Sequence, residues 1–195
     1  MNKKKGLYIL LGIVLIAGLY TAISYNSFIN KQEAVNKYWA DVQRTYQRRA
    51  DLIPSLVQTV KGMANYEKET LEKIAELRSR ITSSAMNVEA SPENIALQEQ
   101  LQKELAINAN RLIAVVEGYP NLRGTEGFLN LQTQMEGTER RIKVARQDYN
   151  QAVNDYNVRV RSFPSSITAN VFGFKTKQPF AADAGTEKVI EIKFK

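Results

Sequence analysis

Phe128, Leu131, Met135, Thr138, Ile142, Ala145, Tyr149, Ala152, Tyr156, Val160 and Phe163 follow one another at steps of three and four residues. No other pattern in this chain of 195 residues restricts its fold so tightly. The spacing places all of them on one stripe of an α-helix of about five heptads, roughly 50–60 Å long, closed by Pro164. The one slip is Val160, which stands where the strict register has Arg159. A helix with so long an apolar seam must bury it against neighbours of comparable length.

Two further segments supply those neighbours. Val35, Trp39, Val42 and Tyr46, then Ile53, Val57, Val60 and Ala64, then Leu71, Ile74 and Ile81 repeat the same spacing, with Arg49, Glu67 and Arg78 interrupting it. Pro54 lies inside this run, where it removes a backbone donor and clashes with the carbonyl four residues earlier. The helix either kinks there or restarts at Asp51, an acceptable N-cap that would leave Pro54 in a first turn. Thr82–Ala90 is short-chained and polar and reads as a loop. Ser91-Pro92-Glu93 is a helix start, with an N-cap, a proline at the first position and an acid in the first turn. That helix carries Leu97, Leu101, Leu105, Leu112, Ile113 and Val116 to a stop at Gly118.

The N-terminus is of another kind. Lys3, Lys4 and Lys5 precede an uncharged stretch, Gly6–Ser24, that measures roughly 28 Å as a helix, close to the hydrocarbon thickness of a bilayer. Leu7, Leu11, Val14, Leu15, Gly18 and Ala22 are the expected membrane-anchor residues. A cleaved signal peptide is the alternative, with Ala22-Ile23-Ser24 as its cleavage site. The apolar stretch is longer than a usual signal core, and a helical pattern follows it without a breaker, which favours a retained span. The lysines before the span outweigh Lys31, Glu33 and Lys37 after it, so the positive-inside rule places the N-terminus in the cytoplasm and the remainder outside.

Composition narrows the chemistry. The chain has no Cys and no His. Cys–His and Ser–His–Asp catalysis, thiolate or imidazole metal sites, disulfides and a cysteine-linked lipid anchor are therefore excluded. Glu67/Glu69 and Glu136/Glu139 are pairs of the kind that solvated Glu- and Lys-rich helices carry by default. Gly118 and Gly124 lack the Lys-Ser/Thr of a phosphate loop. Setting aside Lys3–Lys5 leaves 24 of the 27 basic residues against 20 acidic ones, interspersed rather than clustered as a nucleic-acid binder requires. No enzyme activity, cofactor, metal, small-molecule substrate or nucleic acid is expected.

The fold class expected is all-α: one N-terminal transmembrane helix, then an antiparallel up-and-down bundle of three long helices, or four if the first breaks near Pro54. The boundaries are a basic tail at 1–5, an anchor at 6–24, a bundle at 25–163 and an irregular tail at 164–195 that packs on or extends from it. Ile167, Val171, Phe172, Phe174 and Phe180 suit a tail laid back over the bundle, and Val189–Phe194 alternates like an edge strand.

Arg48, Arg49, Asp51 and Pro54 are the candidate interaction or hinge residues. One reading is structural: Arg48 or Arg49 pairs with Glu139 or Asp148 across the bundle, and Pro54 shapes a bend. The other is a docking surface with arginine as its hot spot. Tyr149-Asn150 recurs as Tyr156-Asn157 one heptad on. The tyrosines suit a core with hydroxyls reaching its end or water. The asparagines could instead fix register between helices or protomers.

Taken together, YNSFI (25–29), QRRADLIPSLVQTVKG (47–62), EKETL (67–71), YPNLRGTEGFLNLQ (119–132), EGTERRIKVARQDYNQAV (136–153), DYN (155–157), SFP (162–164) and FGFK (172–175) resemble the LemA family of bacterial membrane-anchored helical proteins. The resemblance covers about residues 5–180. Tyr66 stands where the family often has His, and Arg140 where it often has Asn. The resemblance implies a single-pass membrane protein with an up-and-down bundle of about four helices, and it carries over no catalytic residue. It leaves the side of the membrane open, since some members have a cytosolic domain. One branch looks like it takes part in forming membrane compartments in magnetic bacteria.

The function expected is that of a non-enzymatic, membrane-anchored scaffold or assembly protein at the bacterial cytoplasmic (inner) membrane. Its partners would be membrane lipid through the N-terminal helix, and an unidentified protein or a second copy of the chain. The alternative is a membrane-organising or membrane-shaping module that acts through self-association and lipid-surface contacts. Gly18 and Ala22 form one small-xxx-small pair in the span that suits helix association. An apolar or basic stripe near the anchor would favour the second reading, and a patch far from the membrane the first.

Overall fold

The computed structural model describes residues 3–61, 68–84, 90–120 and 124–181. Among them the chain forms five helices: α1 (Lys3–Lys61), α2 (Lys68–Ser84), α3 (Pro92–Glu117), α4 (Glu126–Arg161) and α5 (Ser165–Phe172). No described residue lies in a strand, and Val189–Phe194 falls outside the described residues.

α1 is one helix of 59 residues that runs through Pro54. At the usual rise it is about 90 Å long. Its character changes at Ser24. Before that point Leu7, Leu11, Val14, Leu15, Leu19 and Ile23 are exposed; beyond it Phe28, Val35, Trp39, Val42, Tyr46, Ala50, Ile53, Leu56 and Val60 form a buried stripe. Of the two alternatives at Pro54, a kink or a restart at Asp51, the restart does not occur. α1 continues past the proline to Lys61, and α2 begins at Lys68. Packing on both sides of Pro54 holds the helix together despite the lost donor: Ile53 and Leu56 are buried among Ile74, Leu77, Leu105 and Leu112.

α4 lies antiparallel along α1. Arg159 meets Ser24, Tyr149 meets Trp39 and Arg49 meets Glu139, so positions on one helix fall as those on the other rise. The far half of this pair, from Ala50 to Val60, is completed by α2 and α3, whose Ile74, Leu77, Ile81, Leu101, Leu105 and Leu112 share its core. The near half, from Phe28 to Tyr46, packs instead against Ile142–Tyr156, with Ala90 and Ile95 at the start of α3, Ala169 and Phe180 completing its core. The bundle is thus four helices thick far from the apolar segment. Close to it, two helices are covered by α5 and the chain that follows.

The helix ends follow their sequence signals. Ser91 Oγ accepts the Asn94 N–H (3.2 Å) with Pro92 at the first position. At the end of α3 Gly118 donates its N–H to the Val115 carbonyl and Tyr119 donates its N–H to the Val116 carbonyl. Thr125 Oγ1 accepts the Phe128 N–H at the start of α4 (3.4 Å).

Two expectations are corrected here. The seam of α4 stops short: Phe163, its last expected member, lies beyond the helix and is 82% exposed, because Ser162 caps α4 on Val158 and the chain turns away. The stretch after Pro164 is not wholly irregular. It opens with α5, which ends at Gly173 in the left-handed conformation (φ 76°) that glycine adopts without penalty. That turn sends Phe174 back to stack on Phe28, with ring centroids 4.7 Å apart.

Candidate functional site

Of the four residues singled out on α1, only Arg49 is drawn into the bundle. It is 6% exposed. Its guanidinium pairs with Glu139 on α4 and donates to the backbone and side-chain oxygens of Gln102 on α3, at 3.2 and 3.0 Å. One side chain thus ties three helices together at the level where α3 joins the α1–α4 pair. A buried cation needs such partners, since an uncompensated charge in the interior costs several kcal/mol, of order 3–5. Arg49 Nε and Gln102 Nε2 are buried with no hydrogen-bond partner among the described residues.

Arg48 and Asp51 lie on the outer face. Asp51 accepts a hydrogen bond from Gln47 Nε2 (2.9 Å). Pro54 is half-buried and lines a shallow groove with Val57, Leu71, Ala75 and Arg78. The four residues therefore do not converge on one site.

Beside Arg49 the bundle opens into a cleft of about 580 Å³, walled by α1, α3, α4 and the chain around Phe180. Arg49, Lys103, Arg140, Lys143 and Arg146 line it against Glu99 and Glu139. Arg146 is committed to structure: it pairs with Glu99 (2.7 Å) and covers the Phe180 ring (4.6 Å). Lys103, Arg140 and Lys143 are exposed and have no ion-pair partner among the described residues. The balance of charge suits an acidic surface. Among the described residues no group of His, Cys, Asp or Glu could hold a metal ion.

The repeated Tyr-Asn dipeptide has a role that periodicity alone does not reveal. Asn157 accepts the Lys177 N–H and donates to the Lys177 carbonyl, both at 2.8 Å. Asn150 does the same with Phe180, at 2.8 and 3.3 Å. One heptad of helix rises about 10 Å, and three residues of extended chain cover the same distance. The two asparagines thus read the backbone of residues 177–180 as a strap in fixed register. Tyr149 donates its hydroxyl to Gln178 (3.1 Å), and Phe180 packs on Tyr149 and Trp39. Burial pushes the Tyr149 hydroxyl up to about 12, and burial raises Tyr156 as well. The asparagines do fix a register, but that of the chain's own C-terminal segment.

A third feature lies where the apolar part of α1 meets the bundle. Arg159 Nη2 donates to Ser24 Oγ (3.4 Å) and its guanidinium approaches the Phe28 ring (5.9 Å). Tyr25 contacts Phe172 and Phe174, at 5.1 and 5.6 Å between centroids. Gly18, Thr21, Ala22, Tyr25, Asn26 and Phe172 line a groove there. The helix that contains Gly6–Ser24 is long and apolar enough to cross a membrane.

A model of the LemA family matches residues 38–194. Two relatives named magnetosome protein MamQ, MamQ 1 and MamQ 2 of Paramagnetospirillum magneticum, are each 27% identical over 178 residues, covering 80% of this chain and 64% of their own length. Protein LemA of Metamycoplasma hominis is 22% identical over 170 residues, covering 84% of this chain and 74% of its own. The chain thus spans less than two thirds of the MamQ relatives it matches.

Proposed function

The chain belongs to the LemA family, and from that premise we propose that it is a non-enzymatic scaffold anchored in the bacterial cytoplasmic membrane through Gly6–Ser24. The observation that carries this reading is the continuity of α1. A single helix supplies both the apolar segment and the central strand of the bundle's core, so no flexible linker separates anchor from domain. Such a part holds a surface at a set height above the lipid. Arg49 lies 25 positions beyond Ser24, about 38 Å along the helix. The cations at its cleft, Lys103, Arg140 and Lys143, face outward at that height and suit an acidic protein partner. Arg48 and Asp51 lie outside this cleft and Pro54 lines a separate groove, so the docking surface is confined to Lys103, Arg140 and Lys143. Arg49 acts beneath them as its support. The N-terminus is cytoplasmic and the bundle extracytoplasmic, in keeping with Lys3–Lys5 before the span.

A second reading is that of a membrane-organising module acting through self-association and lipid contacts. It is favoured by the exposed apolar residues of α5 beside the anchor, and by the relatives named as magnetosome proteins. Full-length protein purified in nanodiscs separates the two. A particle with a stoichiometric foreign protein, lost on charge reversal at Lys103, Arg140 and Lys143, supports the scaffold. A large homomeric particle holding only lipid, unaffected by that reversal, supports the second reading.

A further inference from the structure

α5 is built inside out for a helix on a water-soluble domain. Its buried residues are Ser165, Thr168 and Ala169, small or polar, while Ile167 is 58% and Val171 72% exposed. Phe163, one helical turn before Ile167 in spacing, and Phe172 are exposed as well. A helix seated on a bundle in water turns its large apolar residues inward. Here the inward face makes polar contacts instead: Ser165 Oγ donates to the carbonyls of Arg159 and Ser162, at 2.7 and 2.8 Å, and thereby fastens α5 across the end of α4.

What covers the outward face follows from its position. Phe172 shares a groove with Gly18, Thr21 and Ala22, residues of the apolar segment itself. Leu19 and Ile23, at the same level of α1, are exposed too, and the groove that joins the anchor to α5 carries no charged side chain, its polar members being Thr21, Tyr25 and Asn26. The charged groups that flank it are of one sign. Arg161 and Lys175 are exposed on either side, Lys177 follows, and Asp155 is the only acid between residues 150 and 181. Tyr25 and Phe172 meet at this level, where amphipathic aromatic side chains favour the membrane boundary.

We propose that Phe163, Ile167, Val171 and Phe172 seat α5 in the headgroup–acyl boundary of the membrane, with Arg161 and Lys175 against anionic headgroups. This rests on the reading that Gly6–Ser24 spans the bilayer. The occupant is lipid because the patch is continuous with the lipid-facing side of the anchor and carries cations at its rim. The seat turns a single point of attachment into a two-point contact and sets the tilt of the bundle against the membrane plane.

The chain has no Cys, so single-cysteine variants of the full chain take a nitroxide without background. Ile167→Cys and Val171→Cys, with Leu15→Cys in the anchor and Ile107→Cys on the exposed far half of α3, are reconstituted in phosphatidylcholine–phosphatidylglycerol vesicles. Collision with oxygen, which partitions into lipid, is compared with collision with a water-soluble nickel chelate. The labels at residues 167, 171 and 15 should meet oxygen several-fold more readily than nickel, and the label at 107 the reverse. Nickel accessibility at 167 and 171, with residue 15 in lipid, overturns the seat and leaves the anchor standing. Exclusion of both reagents at 171 means that protein covers the face, and it overturns the seat as well. A nickel-accessible label at residue 15 overturns the spanning reading itself.

Discussion

Arg49 on α1 and Glu139 on α4 form an ion pair in which the arginine is buried and the glutamate half-exposed. The asymmetry decides what the pair is worth. Removing the carboxylate leaves a guanidinium in the interior with only Gln102 to receive it. Glu139→Gln in the full chain should lower stability by about 1–3 kcal/mol, the cost of an imperfectly satisfied buried group. Asp41→Asn, which breaks the exposed Arg44–Asp41 pair, should cost under about 1 kcal/mol. Denaturant melts in detergent, followed by helical circular dichroism, compare the two. Equal effects would mean that Arg49 does not depend on Glu139.

The strap depends on two asparagines. Each makes two hydrogen bonds to backbone, so Asn150→Ala and Asn157→Ala should each cost about 1–3 kcal/mol, and the double variant should free the segment. Trypsin cleavage after Lys175 and Lys177 reports it. The double variant should be cut many-fold faster there, while Asn170→Ala, at an exposed position of α5, should leave the rate unchanged.

Much of this architecture is legible in the residues. Ser91-Pro92-Glu93 marks the start of α3, and the three-four rhythm from Phe128 to Tyr156 marks α4, because caps and periodicity are local. Pro54 leaves a kink and a restart both open because tertiary packing, not the local penalty, decides between them: Ile53 and Leu56 are fixed by helices far away in sequence. The strap is hidden for a different reason. Asn150 and Asn157 bind backbone amides, which carry no sequence signature, and the Tyr-Asn repeat announces a register without naming what is held. Phe163, Ile167 and Val171 mislead most, since a pattern of apolar residues does not say whether protein or lipid receives them. The structure adds that all three are exposed and that their neighbour Phe172 lies in the groove beside Ala22.

Pro54 lies within an unbroken helix, so Pro54→Ala restores a donor toward the Ala50 carbonyl without rearranging the chain. It should raise stability by about 1–3 kcal/mol, part of the usual penalty of a proline in a helix interior. A loss of stability would show that the surrounding packing requires the proline ring.

Burial holds the Tyr149 hydroxyl protonated to about pH 12, and raises Tyr156, against an ordinary value of 10.0. Between pH 10 and 12 the unfolded chain has released the Tyr149 proton and the folded one has not. Stability is therefore fully present below pH 10 and falls as the pH rises, by up to about 1.4 kcal/mol per unit for each tyrosine that stays protonated. Tyrosinate absorbance should show a late fraction, released only as the bundle unfolds, to which Tyr149 contributes. Tyr149→Phe should remove part of the late fraction and flatten the loss of stability. A late fraction left unchanged by Tyr149→Phe would contradict the burial of Tyr149.

The anchored reading turns on whether Gly6–Ser24 stays with the bundle. The most direct measurement is mass spectrometry of the protein recovered from bacterial membranes after an alkaline wash, with N-terminal peptides identified. The account predicts a membrane-retained chain that needs detergent for release and still contains the apolar segment, at 22.1 kDa for the sequence as it stands. A chain beginning just after Ser24 and released by the wash would contradict it, since the bundle would then work free of its anchor.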